Sequence, residues 1–405
     1  MGDFLPGLRD EVKRGEMHSN GFWHFSECQI RFSDVGDATL HLWCFSSSPS
    51  PASSVFKTSK AYLRSMVGLK VAYFGSDFFS IRCLDHLIDL SFKQHHIKTL
   101  DLIAKHSKKG GRGNKQILET PIVSYAKSKE LNILRAEKNS EIESLSANGY
   151  DLAIAVSYGK LIPQSFLKSL RYGGLNVHPS LLPKYSGPAP LQHTILNGDS
   201  VTGVTVQTLH PTTFDKGSVL KQQVCNDYHP NSETTESLGL KLADLGGPLV
   251  SDIVKFSFDN SALPEPIETS NEYSYAPKPS PSLYQINWNV LSTTEIIRRF
   301  NALGPLYTFK HCHVVKKSPF TGLKRVILDK ISPIADTSSD LSAELKSPGM
   351  FTSVEDGLIV KSLDGYIKVK SLKFQGFGSQ DSNSFVASLP KRTGDSKHLF
   401  LFNDS

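Results

Sequence analysis

Asn176, His178 and Asp215 are the side chains of this sequence whose types and spacing could do chemistry. The first two lie in Asn176-Val177-His178-Pro179-Ser180-Leu181-Leu182-Pro183, and the acid follows in Thr213-Phe214-Asp215-Lys216-Gly217. An amide donor, an imidazole two residues on and a separate carboxylate can hold a carbonyl oxygen while it becomes an oxyanion. That combination points to acyl or formyl transfer. None of the serines sits in a nucleophile elbow, so a covalent intermediate is not required.

An isolated Asn-x-His is often a strand-end pair bonded to loop backbone, so the elements that position it matter. Gly174 to His178 reads as a strand, in which Asn176 and His178 share one face while Leu175 and Val177 share the other. Pro179 cannot donate to a sheet ladder, which ends the strand with both polar groups at its carboxyl end. Open α/β sheets bind ligands at that edge. Ser180 to Pro190 is a proline-punctuated loop, and Leu191, Ile195 and Leu196 mark a helix stopped by Asn197-Gly198. Thr202 to Leu209 alternates as a strand and leads into the turn that carries Asp215. The chain thereby returns to one edge.

The surrounding pattern is βα. Leu69 to Phe74 is a short apolar run, followed by Ser76 or Asp77 as a helix cap and by Ile81, Leu84, Leu87 and Ile88 at helical spacing. Only Gly75 stands where a dinucleotide fingerprint needs three glycines, which argues against a nicotinamide cofactor. Further strands are expected at Ile97 to Ile103, Asn132 to Leu134 and Asp151 to Val156, with helices over Pro121 to Leu131 and Thr234 to Phe258. Strands alternating with helices give a doubly wound α/β domain over 67–258. Residues 259–274, with Pro264 and Pro266, read as a linker. A second, β-rich domain over 275–405 is expected from strand-like pieces at Thr308 to Val315, Lys324 to Ile331, Gly357 to Ser362 and Gly365 to Leu372, after a helix from Thr293 to Phe300. Thr337 to Ser347 reads as a loop insertion.

With 45 Lys and Arg against 39 Asp and Glu, the chain is mildly basic, which admits an anionic partner without requiring one. Cys28, Cys44, Cys83, Cys225 and Cys312 are scattered, so neither a disulfide framework nor a zinc module is indicated and a reducing compartment is expected. In His311-Cys312-His313 only the histidines could converge, and no further ligand lies nearby, so a structural role is expected and no metal. No apolar stretch approaches the roughly 20 residues that span a bilayer. Lys105 to Lys115 contains no acid, and places Lys108, Lys109, Arg112 and Lys115 among Gly110, Gly111 and Gly113. By composition this is a solvated surface loop, mobile and able to neutralise phosphates.

Residues 1–66 do not read as a folded domain. Residues 41–70 lack acids, are rich in serine and include Lys57, Lys60, Arg64 and Lys70, a composition like that of organelle-targeting segments at an unusual internal position. Met66, just before the first core strand, would also permit a later start.

The Asn176 to Pro183 run with Asp215, together with Ser157-Tyr158-Gly159-Lys160-Leu161-Ile162-Pro163, Ser186-Gly187-Pro188-Ala189-Pro190 and Thr202-Gly203-Val204-Thr205, resembles the folate-dependent formyltransferases. Within them it is similar to the branch acting on methionyl-tRNA. The resemblance implies a Rossmann-like formyltransferase sheet with an OB-like β-barrel domain that helps hold tRNA. It implies 10-formyltetrahydrofolate as formyl-donor cosubstrate, initiator Met-tRNA as acceptor and no metal. Together with the acid-free segment it points to the mitochondrial matrix, or to the cytoplasm if the amino-terminal extension is not a targeting segment. Asn176, His178 and Asp215 take the catalytic positions, and the folate pocket is expected around Tyr158, Gly159, Ile162, Ser180, Leu181, Leu182 and Pro183, with the turn at Thr212 to Lys216. Arg112 takes the place of an arginine in a basic loop that enters the acceptor end of the tRNA, with Lys108, Lys109 and Lys115 as helpers. Two departures stand out. Lys184-Tyr185-Ser186 lacks the second cation of the family pattern, and the loop before Asp215 is about one residue longer. Alternatives are phosphoribosylglycinamide formyltransferase, a sugar-nucleotide formyltransferase or a hydrolase with the same three side chains, and a non-catalytic tRNA-binding protein.

Overall fold

The computed structural model describes residues 68–405 apart from 112, 114, 315–319, 335–338, 395–397 and 404–405, together with the backbone of five short strands between residues 15 and 56. Those five, β1 (Gly15–His18), β2 (Phe22–Phe25), β3 (Cys28–Ser33), β4 (His41–Ser46) and β5 (Val55–Phe56), pair antiparallel in chain order. The stretch expected to carry no fold thus contains a backbone meander. Strands of two to six residues give too little alternation to stand out from a mixed composition. Most of the acid-free segment 41–70 lies outside the described residues.

The first regular unit opens with β6 (Leu69–Gly75), buried at every position but Lys70. Such a continuous apolar run marks a parallel strand covered on both faces. Asp77 caps α1 (Phe78–Phe92), its carboxylate accepting from Ser80 N at 3.0 Å. Then come β7 (Ile97–Ala104), a hairpin of β8 (Lys108–Gly110) and β9 (Gln116–Leu118), α2 (Pro121–Ser128), β10 (Ile133–Arg135), α3 (Asn139–Ser144), β11 (Leu152–Val156), α4 (Gln164–Ser169) and β12 (Gly174–His178). The run finishes with α5 (Pro190–Asn197), β13 (Gly203–Thr208), β14 (Val219–Val224) and the long α6 (Thr235–Asn260). The sheet order is β10-β7-β6-β11-β12-β13-β14, and the pairs from β10 through β12 are parallel. Chain order therefore runs outward in both directions from β6 and β11. That is the doubly wound topology, with its switch point where Ser76 Oγ donates to Ser157 O at 2.5 Å. Phe74 lies edge-on to Tyr158 and Phe166 in the core beneath.

Contacts divide the chain into two units that differ from the expected chain-order boundary. One holds residues 1–178, 206–221 and 243–268, and the other 179–205, 222–242 and 269–405, with β13, β14 and α6 running from one into the other. The second unit claims α5 because that helix packs on α7 (Thr293–Leu303). Arg298 on α7 covers Gly198, where a Cβ would sit 2.1 Å from the guanidinium carbon, and it also donates to Asn231. Thr235 Oγ1 donates to Ala302 O at 2.8 Å. No spacing rule foretells such packing.

Beyond α7 lie β15 (Leu306–Val314), β16 (Phe320–Pro333), α8 (Ser339–Glu344), β17 (Phe351–Val354), β18 (Gly357–Lys361), β19 (Tyr366–Phe374), β20 (Ser379–Gln380) and α9 (Ser382–Thr393). The sheet is antiparallel, ordered β15-β16-β19-β18-β17, with β20 beside β19. The tail closes it, because Leu401 exchanges both backbone hydrogen bonds with Phe309 on β15 while His398 O accepts from Phe351 N on β17. Trp288, Phe351, Phe374, Phe385 and Phe400 fill the core. β17, β20, α9 and this tail go beyond the elements expected from sequence, and α8 lies within the stretch expected to be a loop insertion.

Candidate active site

β12 delivers Asn176 and His178 to one face at the strand's carboxyl end, as its alternation requires. The acid arrives by a different device. At the base of the Leu209 to Gly217 loop, Thr208 N donates to Ser218 O and Ser218 N to Thr208 Oγ1, each at 2.9 Å. A Cβ on Gly217 would lie 1.7 Å from Thr208 O, so only glycine permits this closure. Asp215 then takes φ 54°, the left-handed region that non-glycine residues rarely adopt. Phe214 is half exposed and Lys216 exposed, yet the Asp215 side chain is turned inward with 8% of its surface accessible.

Three nitrogens converge on one oxygen. His178 Nδ1 lies 3.4 Å from Asp215 Oδ1, Asn176 Nδ2 donates to the same oxygen at 3.5 Å, and Gln207 Nε2 donates to it at 3.4 Å. All three contacts are long, as catalytic hydrogen bonds often are before substrate tightens them. A carboxylate at Nδ1 orients the ring. The amide of Asn176 and the imidazole of His178 supply N–H groups for developing negative charge.

Gln207 was not among the residues singled out from sequence. Its signal was present: Gly203, Thr205 and Gln207 share one face of β13, whose residues from Gly203 to Gln207 are all buried. A polar pair at that spacing in a buried strand calls for partners.

The expected folate residues divide by environment. Tyr158 is buried, its ring against Phe74 and its hydroxyl donating to Ala136 O, and burial pushes that hydroxyl's pKa well up. Ile162 is buried in the same core. Gly159 is exposed at φ 67°, and Lys105, the first residue of the basic stretch, sits 5.3 Å from the centre of the Tyr158 ring. Burial, with help from Lys108 and Lys160 against the pull of Glu137, holds the Lys105 ammonium below the ordinary lysine range.

In the other unit, Ser180 Oγ donates to Lys184 O at 2.7 Å, while Thr205 Oγ1 donates to Ser180 O at 2.6 Å and accepts from Leu182 N at 3.0 Å. Gln222 Nε2 donates to Leu182 O at 2.7 Å. Leu182 is buried, the Leu182–Pro183 bond is cis, and Leu181 and Pro183 are half-buried. Side-chain bonds thus fix the backbone of this loop.

The basic loop is more ordered than its composition suggests. Lys108, Lys109 and Gly110 pair with Leu118, Ile117 and Gln116 in an antiparallel hairpin. Lys108, Lys109 and Lys115 are exposed, with Lys108 Nζ 4.0 Å from Glu137, whereas Arg112 lies outside the described residues. Three-residue strands carry no readable alternation. His311 and His313 are exposed on β15, and His313 Nδ1 meets Thr321 Oγ1 at 2.8 Å. Among the described residues no three His, Cys, Asp or Glu side chains are grouped to hold a metal, and no helix is long and apolar enough to cross a membrane.

Residues 69–254 match the family model described as formyl transferase. The chain is 29% identical over 380 residues to the mitochondrial methionyl-tRNA formyltransferase of Saccharomyces cerevisiae, covering 82% of this chain and 92% of that protein. It is 30% identical over 318 residues to the methionyl-tRNA formyltransferase of Legionella pneumophila, covering 77% and 92%. Among solved structures, an N-formyltransferase from Helicobacter canadensis in complex with folinic acid and dTDP-3-aminofucose has a similar fold, with TM-score 0.50, 16% identity and coverage of 74% of this chain and 98% of that one. The fold is that of a formyl-transferring enzyme. The chain belongs to the methionyl-tRNA formyltransferase family.

Proposed function

We propose that Asn176, His178 and Asp215 carry out the transfer of a formyl group from 10-formyltetrahydrofolate to the amine of methionine esterified to initiator tRNA. The observation that carries this reading is the convergence of Asn176 and His178 on Asp215 Oδ1, at 3.5 and 3.4 Å. The amine nitrogen attacks the formyl carbon, and the carbonyl oxygen takes up the electron pair. Asn176 Nδ2 and protonated His178 donate to that oxygen. Asp215 stabilises the imidazolium and relays, through water, the proton lost by the amine to folate N10 as the N10–carbon bond breaks. No covalent enzyme intermediate forms.

In this reading Tyr158, Gly159, Ile162, Ser180, Leu181, Leu182 and Pro183 are folate-binding residues. Lys108, Lys109, Arg112 and Lys115 contact phosphates at the acceptor end, and the closed antiparallel barrel gives the tRNA a second surface. The exposure of the three described lysines supports the first assignment. The mitochondrial matrix is the proposed compartment, in keeping with the acid-free segment 41–70 and with the mitochondrial yeast relative.

Purified protein incubated with labelled 10-formyltetrahydrofolate, methionine-charged initiator tRNA and, in parallel, glycinamide ribonucleotide tests the assignment. Label is expected on the methionyl amine alone. Label on the ribonucleotide, or on neither acceptor, would reject it.

A further inference from the structure

Gln207 is buried to 1% exposure on β13, a position where an apolar side chain would serve the core. Its Nε2 donates to Asp215 Oδ1 at 3.4 Å, and its Oε1 is buried with no hydrogen-bond partner. A buried acceptor left unsatisfied costs stability, so this amide is not explained by holding the fold together. Turning the amide over would not help. Two oxygens would then face each other at the Asp215 contact, so the donor toward the carboxylate is the arrangement the neighbourhood selects.

Asp215 needs such support. It stands at φ 54° in a turn between exposed Phe214 and Lys216, closed by the pinch at Gly217. The turn fixes the Cα but leaves the rotation of the carboxylate to its partners. Gln207 approaches from β13, a strand paired on both sides, which is a stiffer base than the loop itself.

We infer that Gln207 is a positioning residue for the transfer reaction: its amide, anchored on β13, holds the Asp215 carboxylate in the rotamer that meets His178 Nδ1. The inference rests on the reading of Asp215 as the partner of protonated His178. It assigns Gln207 no contact with either substrate, so its loss acts on turnover rather than on binding.

Gln207→Met, close in volume but without an N–H donor, tests this beside Asp215→Asn. Single-turnover formyl transfer, KM for both substrates and thermal melting are measured on each. For Gln207→Met we expect the rate to fall roughly tenfold, the size of one lost hydrogen bond to a charged group. KM values should stay within about twofold of wild type, since no substrate contact is removed. The melting temperature should hold or rise, because the orphaned oxygen is gone. Gln207→Glu, which sets a second carboxylate against Asp215, should be slower than Gln207→Met. A wild-type rate in Gln207→Met, or a rate that falls only as far as the folded fraction does, overturns the inference. If Asp215→Asn collapses the rate while Gln207→Met leaves it intact, Gln207 alone is misassigned. If Asp215→Asn also keeps the wild-type rate, the catalytic reading of Asp215 falls with it.

Discussion

The carboxyl edge of the parallel sheet and the core of the closing barrel handle buried polar groups in opposite ways. In the barrel they are paired off: Trp288 Nε1 donates to Thr308 Oγ1 and Thr308 Oγ1 to Leu401 O, each at 2.9 Å, and Thr293 Oγ1 meets Ser362 Oγ at 2.7 Å. The exceptions, Gln380 Nε2 and Arg392 Nη1, belong to side chains outside its apolar cluster. At the sheet edge, Asn176, His178 and Gln207 crowd one oxygen of Asp215 at 3.4 to 3.5 Å, and Gln207 keeps an unpaired oxygen. Short, complete hydrogen bonds serve stability, whereas long, shared ones leave capacity for a substrate. The comparison predicts that mutations in the two regions separate cleanly into effects on rate and effects on folding.

The largest expected effect is His178→Ala, which should lower kcat by about 10³ or more while the melting temperature barely moves. Asn176→Ala should follow, losing about 2.7 to 4 kcal/mol of transition-state stabilisation with binding of tRNA retained. A parallel loss of stability in either variant would break the comparison.

Phe400→Ala probes the other side. Phe400 is 1% exposed, stacks 4.3 Å from Phe351 and lies on the tail that closes the sheet. Its truncation should cost about 3 to 5 kcal/mol in denaturant unfolding, yet the protein that remains folded should turn over normally. A turnover defect without unfolding would place catalytic function in the barrel.

Replacing Lys108 and Lys109 together by alanine should raise KM for Met-tRNA roughly tenfold, with a shallower salt dependence and an unchanged KM for folate. Equal rises for both substrates would remove the hairpin from tRNA binding. The smallest effect is expected at Glu141, whose carboxylate accepts from Glu137 N and Lys138 N at 2.8 and 3.0 Å and meets His106 Nε2 at 3.0 Å. Those backbone bonds, with His106 adding, hold its pKa down from 4.5 to about 2. The folded carboxylate is thus favoured, so its contribution is full above the unfolded value and disappears as pH falls through the folded one. The melting difference between wild type and Glu141→Gln should be present at neutral pH and close between pH 4.5 and about 2.

Long or strongly periodic elements were legible in the sequence: β6, β11, β12 and α6 lie where apolar runs and alternation place them. So was the convergence of Asn176, His178 and Asp215, because a strand fixes the first two on one face and a glycine-bearing turn returns the third. What escaped depends on packing rather than pattern. Gln207 looks like any polar residue of an alternating strand until Asp215 is beside it. The tail at His398 to Leu401 is too short to register as a strand, yet it joins β15 to β17. In α9, Pro390 would signal a stop, yet the helix runs on to Thr393.

Single-turnover formyl transfer by Asp215→Asn, at saturating 10-formyltetrahydrofolate and methionyl initiator tRNA and with a thermal melt on the same sample, addresses the centre of this account. The account predicts a rate at least about 100-fold below wild type at an unchanged melting temperature. A rate close to that of the wild type in a fully folded sample would contradict it.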